Sequence, residues 1–339
     1  MLSAIGGAAV LGPDAGKILV PLAKALGTRA GRAVPSRYES WKQRRALKKI
    51  LGVGSESSFY YRLPSTKHPL LQLDNPHPDD TAAFAAIAGP LLTHARRHGW
   101  LEEVDQLDVD LAQNLVTIGS PEVEPIVQLA FDYRRPSNGP GLKHHGETID
   151  LAYRWHEDPS DVQAICGRFL AGHGRVDRPN WPIIQSLPDG TERRLIPRVD
   201  SRTGLLDSDL LLITSMPNFL TRTALESGHR LINVAGVHGV GTAAIELVLK
   251  SPKILNAAAE AIAPLDRTSA FQILVEIAEI EHRETTGSRA KKVRLLDVWT
   301  EDKISFDGWL SASVCVAERF ADWALESEHR NQPGDHERR

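Results

Sequence analysis

Downstream of residue 110 the chain carries five short apolar runs: NLVTIG (114–119), DLLLIT (209–214), LINVAG (231–236), FQILVEIA (271–278) and VRLLDVW (293–299). Near-continuous apolar runs of this length, bounded by turn formers, suit strands whose two faces are both buried. Stretches of helical character lie among them at 122–132, 242–262 and 311–326, and Pro252 is expected to break the second into TAAIELVLK and KILNAAAEAI. Strands interleaved with helices predict an α/β fold with a doubly wound, mainly parallel, Rossmann-like sheet covered on both sides.

The remaining segments divide around that unit. The expected organisation is an apolar and basic N-terminal helical segment (1–52), a helical region (53–110), the Rossmann-like domain (111–330) with an insertion at 134–205, and a disordered tail (331–339). The insertion reads as a loop, RRPSNGPGLKHHG, then a helix, DPSDVQAICGRFL, then a hairpin turning at Asp189-Gly190. Insertions of this kind often cover or line a site. Within 53–110 a helix is expected over 79–98, with Pro78 at its start, Asp79 and Asp80 against its positive end, and a break or kink at Gly89-Pro90.

Charge and cysteine usage remove several classes. A net charge of −3 gives no whole-molecule attraction to nucleic acid, and two cysteines, Cys166 and Cys315, exclude a disulfide scaffold or a cysteine-rich zinc module. The apolar N-terminus is interrupted by Pro13, Asp14, Lys17, Pro21 and Lys24, so no run approaches the roughly 20 residues that span a bilayer. A cytoplasmic protein is expected, with peripheral membrane contact as a second expectation. Residues 29–49 hold eight basic residues against one acid, Glu39, and Tyr38, Trp41, Leu47, Ile50 and Leu51 would share a helical face. Three readings stay open for residues 1–51: a surface-lying membrane anchor, a segment for acidic partners or nucleic acid, or a solvated helix packed on the main domain.

The most suggestive stretch is RLINVAGVHGVGTAAIE (230–246). Gly236, Gly239 and Gly241 follow a strand directly, and Thr242 opens a helix. Glycines allow close backbone approach, and a helix start offers unpaired N–H groups and a positive dipole end, so phosphate is the natural guest. The spacing matches neither the dinucleotide fingerprint nor the P-loop, and no lysine precedes Thr242. In open α/β sheets ligands bind beyond the carboxyl ends of strands. Gly119 and Ser120 after the first run and Asn218 after the second therefore join Gly236, Gly239, Gly241 and Thr242 as the expected binding residues for a nucleotide-type ligand. His238, in the turn, is a candidate general acid or phosphate contact. Glu246, one helical turn beyond Thr242, is a candidate base or a stabiliser of positive charge as an N-glycosidic bond breaks. No cofactor is assigned.

The segments LVTIGSP, DLLLITSMPN and INVAGVHGVGTAAIE together resemble the doubly wound nucleotide-handling domains of prokaryotic sensor and defence systems, of the TIR-like and SLOG-like Rossmannoid type. The resemblance is one of pattern over the C-terminal two thirds, and it implies sensing or processing of a nucleotide. The glycine- and glutamate-bearing signature of the SLOG-like group is absent, so no catalytic residue is carried over.

Two other readings belong to different classes. One is a non-catalytic sensor or scaffold working through residues 1–51. The other is a zinc hydrolase, because NPHPDDT (75–81) resembles the HPDDE motif of the N-acetylglucosaminyl-phosphatidylinositol deacetylase-like family. That resemblance implies zinc held by His77 and Asp80 with Asp79 as base, but Thr81 stands where the family has Glu. His94 and His98 are spaced to meet one metal on a helix, yet HARRH lacks the catalytic Glu of H-E-x-x-H. His144, His145, His156 and His173 in the insertion repeat no known zinc spacing and read as loop histidines.

Overall fold

The structure is a computed structural model. It describes residues 45–50 except 47, 58–62, 65–67, 74–76, 78–92, 97–100, 111–134 except 122, 143–144, 149–155, 167–171, 174–178, 182–262, 266, 268–283, 287–301 and 304–331. Nearly all of the basic segment 1–51, the expected tail beyond Asn331 and residues 158–166 of the helix expected over 158–170 thus lie outside the described residues.

All five apolar runs are strands, and the sheet they build has seven members. In chain order these are β1 (Ser58–Arg62), β2 (Arg97–Trp100), β3 (Asn114–Ile118), β4 (Asp209–Pro217), β5 (Arg230–Gly236), β6 (Ala270–Arg283) and β7 (Gly287–Glu301). The order across the sheet is β7-β6-β4-β5-β3-β1-β2. Pairs β1–β2, β1–β3 and β3–β5 are parallel, whereas β4–β5, β4–β6 and β6–β7 are antiparallel.

The expected doubly wound, mainly parallel Rossmann-like sheet is therefore incorrect: the sheet is mixed, and its longest strands form the antiparallel half. Two physical reasons account for this. Residues 284–286 alone connect β6 to β7, too few for the crossover that a parallel pair needs. The full burial of β4 and β5 reflects cover on both faces, which says nothing about strand direction.

The sheet also begins earlier than residue 111. β1 and β2 belong to it, so 53–110 is not a helical region and the boundary expected there does not exist. Helix α1 (Pro78–Leu92) starts at proline as anticipated, but it runs through Gly89-Pro90, where only its last turn is affected. His98 sits in β2, so it does not share a helix with His94, which lies outside the described residues. In the insertion, Gly167–Ala171 is a strand paired antiparallel with Gly174–Arg178, not the end of a helix. The hairpin at Asp189-Gly190 is present: Ile183–Ser186 pairs with Glu192–Leu195, Gly190 takes a φ of +80°, and the Thr191 N–H donates to Asp189 Oδ1 at 2.9 Å.

Helices α2 (Pro125–Ala130), α3 (Arg222–Glu226), α4 (Gly239–Ala243), α5 (Ile245–Lys250), α6 (Pro252–Ile262) and α7 (Phe306–Asn331) complete the layers. On one face Ile213, Val234 and Ile273 of the sheet meet Ile87 of α1, Ile245 of α5 and Leu255 of α6. On the other, Leu212, Met216, Leu231 and Leu274 pack with Tyr153, Trp155 and Trp309. Ser305 begins α7, its hydroxyl accepting from the Gly308 N–H at 3.2 Å and its carbonyl from the Trp309 N–H at 3.1 Å. Among the described residues no helix is long and apolar enough to cross a membrane.

Trp309 is fully buried, lies 5.4 Å from the Phe219 ring and donates its indole N–H to the Thr268 carbonyl at 2.7 Å. Trp309→Ala is expected to destabilise the fold by about 3–5 kcal/mol, read as a lower urea midpoint.

Candidate functional site

The glycine-rich turn lies at one rim of the sheet. Parallel β3 and β5 end together there, and the Gly119 N–H donates to the Val234 carbonyl at 3.0 Å. Gly119 has a φ of +114°, and the Ser120 carbonyl accepts from the Val123 and Glu124 N–H groups at 3.1 and 3.0 Å. Because β4 runs antiparallel to β5, Asn218 emerges at the opposite rim. There its side-chain amide donates to the carbonyls of Leu111 and Gln113 at 2.7 and 2.6 Å. The grouping of Asn218 with Gly119, Ser120 and Gly236–Thr242 is thus incorrect.

The turn is occupied by the protein itself. A Cβ on Gly236 would fall 2.3 Å from Thr242 N, and the Thr242 hydroxyl accepts from the Gly236 N–H at 2.8 Å. A Cβ on Gly241 would lie 2.5 Å from Asp209 Oδ2, and one on Gly239 would lie 2.4 Å from Asp79 Oδ2. The three glycines admit neighbouring backbone and two carboxylates, not a phosphate. Asp209 is 0% exposed. It accepts from the His238 N–H at 3.2 Å and the Leu210 N–H at 2.8 Å, and the Gly241 amide also donates to it. Burial holds the Asp209 carboxyl well above the usual carboxylate range; these three amides oppose the shift, and nearby Asp79 adds to it.

His238, at the N-cap of α4, is buried, and its side chain makes no capping bond. Glu246 lies in the first turn of α5 and is ion-paired with Lys250 one turn on. As for the zinc reading, Asp79 and Asp80 sit in the first turn of α1, while His77 lies outside the described residues. Among the described residues no group of three His, Cys, Asp or Glu could hold a metal ion.

A different set of residues converges on the opposite face of the sheet. Thr117 of β3, Asn233 of β5, Thr214 of β4 and Gln272 of β6 stand side by side in register. Directly opposed residues share a face, so these four make a polar row across a surface that is otherwise apolar. All four are buried. Asn233 donates to Thr117 Oγ1 at 3.1 Å and to the Gly119 carbonyl at 3.0 Å. Gln272 donates to Thr214 Oγ1 at 3.2 Å and to the Tyr153 carbonyl at 2.8 Å, and its Oε1 accepts from the Tyr153 N–H at 2.8 Å.

Strand Tyr153–Trp155 of the insertion hangs from these side chains. Gln272 satisfies both backbone groups of Tyr153. The Tyr133 hydroxyl donates to the Trp155 carbonyl at 2.9 Å and accepts from the Trp155 N–H at 2.6 Å. Between that strand and the sheet lies a cavity of about 230 Å³. Leu212, Thr214 and Gln272 come from the sheet side, and Tyr133, Tyr153 and Trp155 from the insertion side. Exposed Asp150 and Glu192 and half-buried Arg154 mark its open side.

Three side chains fix the lining. The Tyr153 hydroxyl donates to Asp297 and accepts from Gln185 Nε2 at 3.0 Å; burial and the Asp297 bond push its pKa up, so it stays neutral. Asp132 holds a left-handed φ of +57°, sparsely populated by non-glycine residues, and Arg319 of α7 lies 3.1 Å from its carboxylate. Trp155 is 5% exposed, and its indole N–H has no hydrogen-bond partner among the described residues. A buried donor left unmade costs about 1–3 kcal/mol.

Among the described residues none of the expected binding or catalytic residues lines this cavity; His144, read from the sequence as a loop histidine, does, and its ring stands 4.9 Å from that of Tyr133. His145, His156 and His173 lie outside the described residues. Comparison with protein-family models, with curated proteins and with solved structures finds no match.

Two outcomes are expected from the turn. Gly241→Ala should cost about 1–3 kcal/mol through the clash with Asp209, and a urea midpoint equal to that of the parent protein would contradict the packing described. The raised pKa of Asp209 means that the folded chain binds this proton more tightly than the unfolded chain. The resulting stability is complete below about pH 4 and is lost as pH rises through the folded value. Urea curves taken from about pH 4 to about pH 8 should show the parent protein losing stability relative to Asp209→Asn, and parallel curves would exclude the linkage.

Proposed function

We propose that the protein binds a small organic molecule in the cavity between strand Tyr153–Trp155 and the sheet. The observation that carries this reading is the buried polar row Thr117–Asn233–Thr214–Gln272, which crosses four strands and enters the cavity at Thr214 and Gln272. Small-molecule sites combine mainly apolar and aromatic walls with a few fixed polar groups. Tyr133, Tyr153, Trp155 and Leu212 supply the walls, half-buried Arg154 and Ser186 supply polar groups within reach, and buried Thr214 and Gln272 complete the lining.

The expectation of a nucleotide-type ligand moves with the site. The carboxyl groups of Asp79 and Asp209 already stand against Gly239 and Gly241, and α4 spans only five residues. What favours such a ligand is a compartment suited to a ring, not a bed for phosphate. We assign recognition, as in a sensor, and give His238 and Glu246 no chemical role.

Thermal-shift measurement with free nucleobases, nucleosides and small aromatic amines tests the reading. A ligand at about 100 times its Kd contributes about 2.7 kcal/mol, a rise of several degrees in Tm. Ser186→Trp, at the cavity lining, is expected to abolish the rise while leaving the ligand-free Tm within about 2 °C, as lining substitutions away from the core do. A panel with no shift, or a shift that survives Ser186→Trp, overturns the assignment.

A further inference from the structure

We propose that Ser288 and His282, which face each other across the β6–β7 hairpin, form a second site: a serine nucleophile with its own base, which takes an acyl group from a carboxylic ester. This site shares no residue with the cavity lining and stands independently of the cavity reading.

Strand register brings the two side chains together. His282, next to last in β6, is directly opposed to Ser288, second in β7, so both stand on one face of the ribbon. Gly287, at a φ of +75° that suits glycine, closes the connection immediately before Ser288. His282 Nδ1 lies 2.8 Å from Ser288 Oγ, and Nε2 lies 2.6 Å from the Leu206 carbonyl oxygen.

The Leu206 carbonyl decides where the protons sit. A carbonyl oxygen only accepts, so Nε2 carries the hydrogen and donates it there. A neutral imidazole has one N–H, which leaves Nδ1 with a lone pair aimed at the serine. The Ser288 hydroxyl is therefore the donor, its proton already directed at a base. This is the relation of nucleophile, base and orienting group found in activated serines, with a main-chain carbonyl as the orienting group. That carbonyl is itself well fixed. Leu206 is 0% exposed and bridged to Val199, and the next residue, Asp207, donates its N–H to the Arg198 carbonyl at 2.8 Å.

Availability separates this pair from the histidine of the glycine-rich turn. Ser288 and His282 are half-buried, whereas His238 is buried. Among the described residues no other group hydrogen-bonds to Ser288 Oγ, so no donor competes for the lone pairs that attack a carbonyl carbon. In the step, Oγ bonds to the ester carbonyl carbon as its proton passes to His282 Nδ1. The tetrahedral adduct then collapses by breaking the bond to the alcohol oxygen, which leaves with that proton and restores the neutral imidazole. Leu206 is a positioning residue, holding the tautomer on which the transfer depends.

A fluorophosphonate tests this on the full chain, because attack by an activated serine expels fluoride and leaves a stable adduct. Peptide mass spectrometry should place the adduct on Ser288, within the tryptic peptide ETTGSR, in the folded protein and not in the chain unfolded in urea. His282→Gln, which keeps the serine and removes the base, should slow this labelling by about 100-fold. Release of p-nitrophenolate from p-nitrophenyl acetate should fall by at least about tenfold in Ser288→Ala. The comparison of folded with unfolded protein needs no substitution, so it decides the matter even where a variant does not fold. An unlabelled Ser288 in the folded protein, equal labelling of the unfolded chain, an unchanged rate in His282→Gln or undiminished p-nitrophenolate release in Ser288→Ala would each overturn the inference.

Discussion

A buried side-chain amide of the sheet, with the bond from the Tyr153 hydroxyl to Asp297, ties the insertion to it. Gln272, the third residue of β6, meets the backbone of Tyr153 through both its oxygen and its nitrogen, as a neighbouring strand would. Buried backbone groups must find partners, and strand Tyr153–Trp155 pairs antiparallel with Ile183–Ser186 along one edge only, so its other edge must be met by side chains. Gln272 and the Tyr133 hydroxyl supply them for alternate residues, which leaves a gap between Tyr153–Trp155 and the floor of the sheet. The cavity is therefore the geometric result of suspending backbone from side chains instead of packing it flat.

Buried ionisable groups are managed differently at three places. Asp209 is buried under the glycine turn, and amides donated by that turn answer it. Asp132 is answered by the guanidinium of Arg319. Arg230 starts β5, deeply buried, and rests on the Ser215 hydroxyl, the Ser269 carbonyl and the Phe271 ring; burial lowers its pKa to about 10. For Asp132 and Arg230, loss of a partner would leave an uncompensated buried charge, which is strongly destabilising. These groups join segments far apart in the chain, so they fix which elements meet.

Much of the architecture was legible in the sequence, and the reason for each failure is physical. The five apolar runs mark five strands, Pro252 marks the break between α5 and α6, and Asp189-Gly190 marks its hairpin. Strand direction was not legible, because a strand covered on both faces has the same composition whichever way it runs. The candidate site was misplaced for a related reason. A glycine-rich turn after a strand signals close approach of something, and a neighbouring carboxylate meets that need as well as a phosphate does. The better signal was quieter: Thr117, Asn233, Thr214 and Gln272 each interrupt an apolar run. Only the strand register shows that they form one row.

The Asp132–Arg319 pair has a mechanical consequence. Helix α7 runs for 26 residues from Phe306 to Asn331, and Arg319 lies near its midpoint. Its guanidinium grips both the Asp132 carboxylate and the Leu129 carbonyl, one residue before the Tyr133 that clamps Trp155. The helix is thus a lever whose fulcrum is seated against the chamber wall. Arg319 ties the middle of α7 to the short segment that carries the Tyr133 hydroxyl, and that hydroxyl in turn holds the backbone of Trp155.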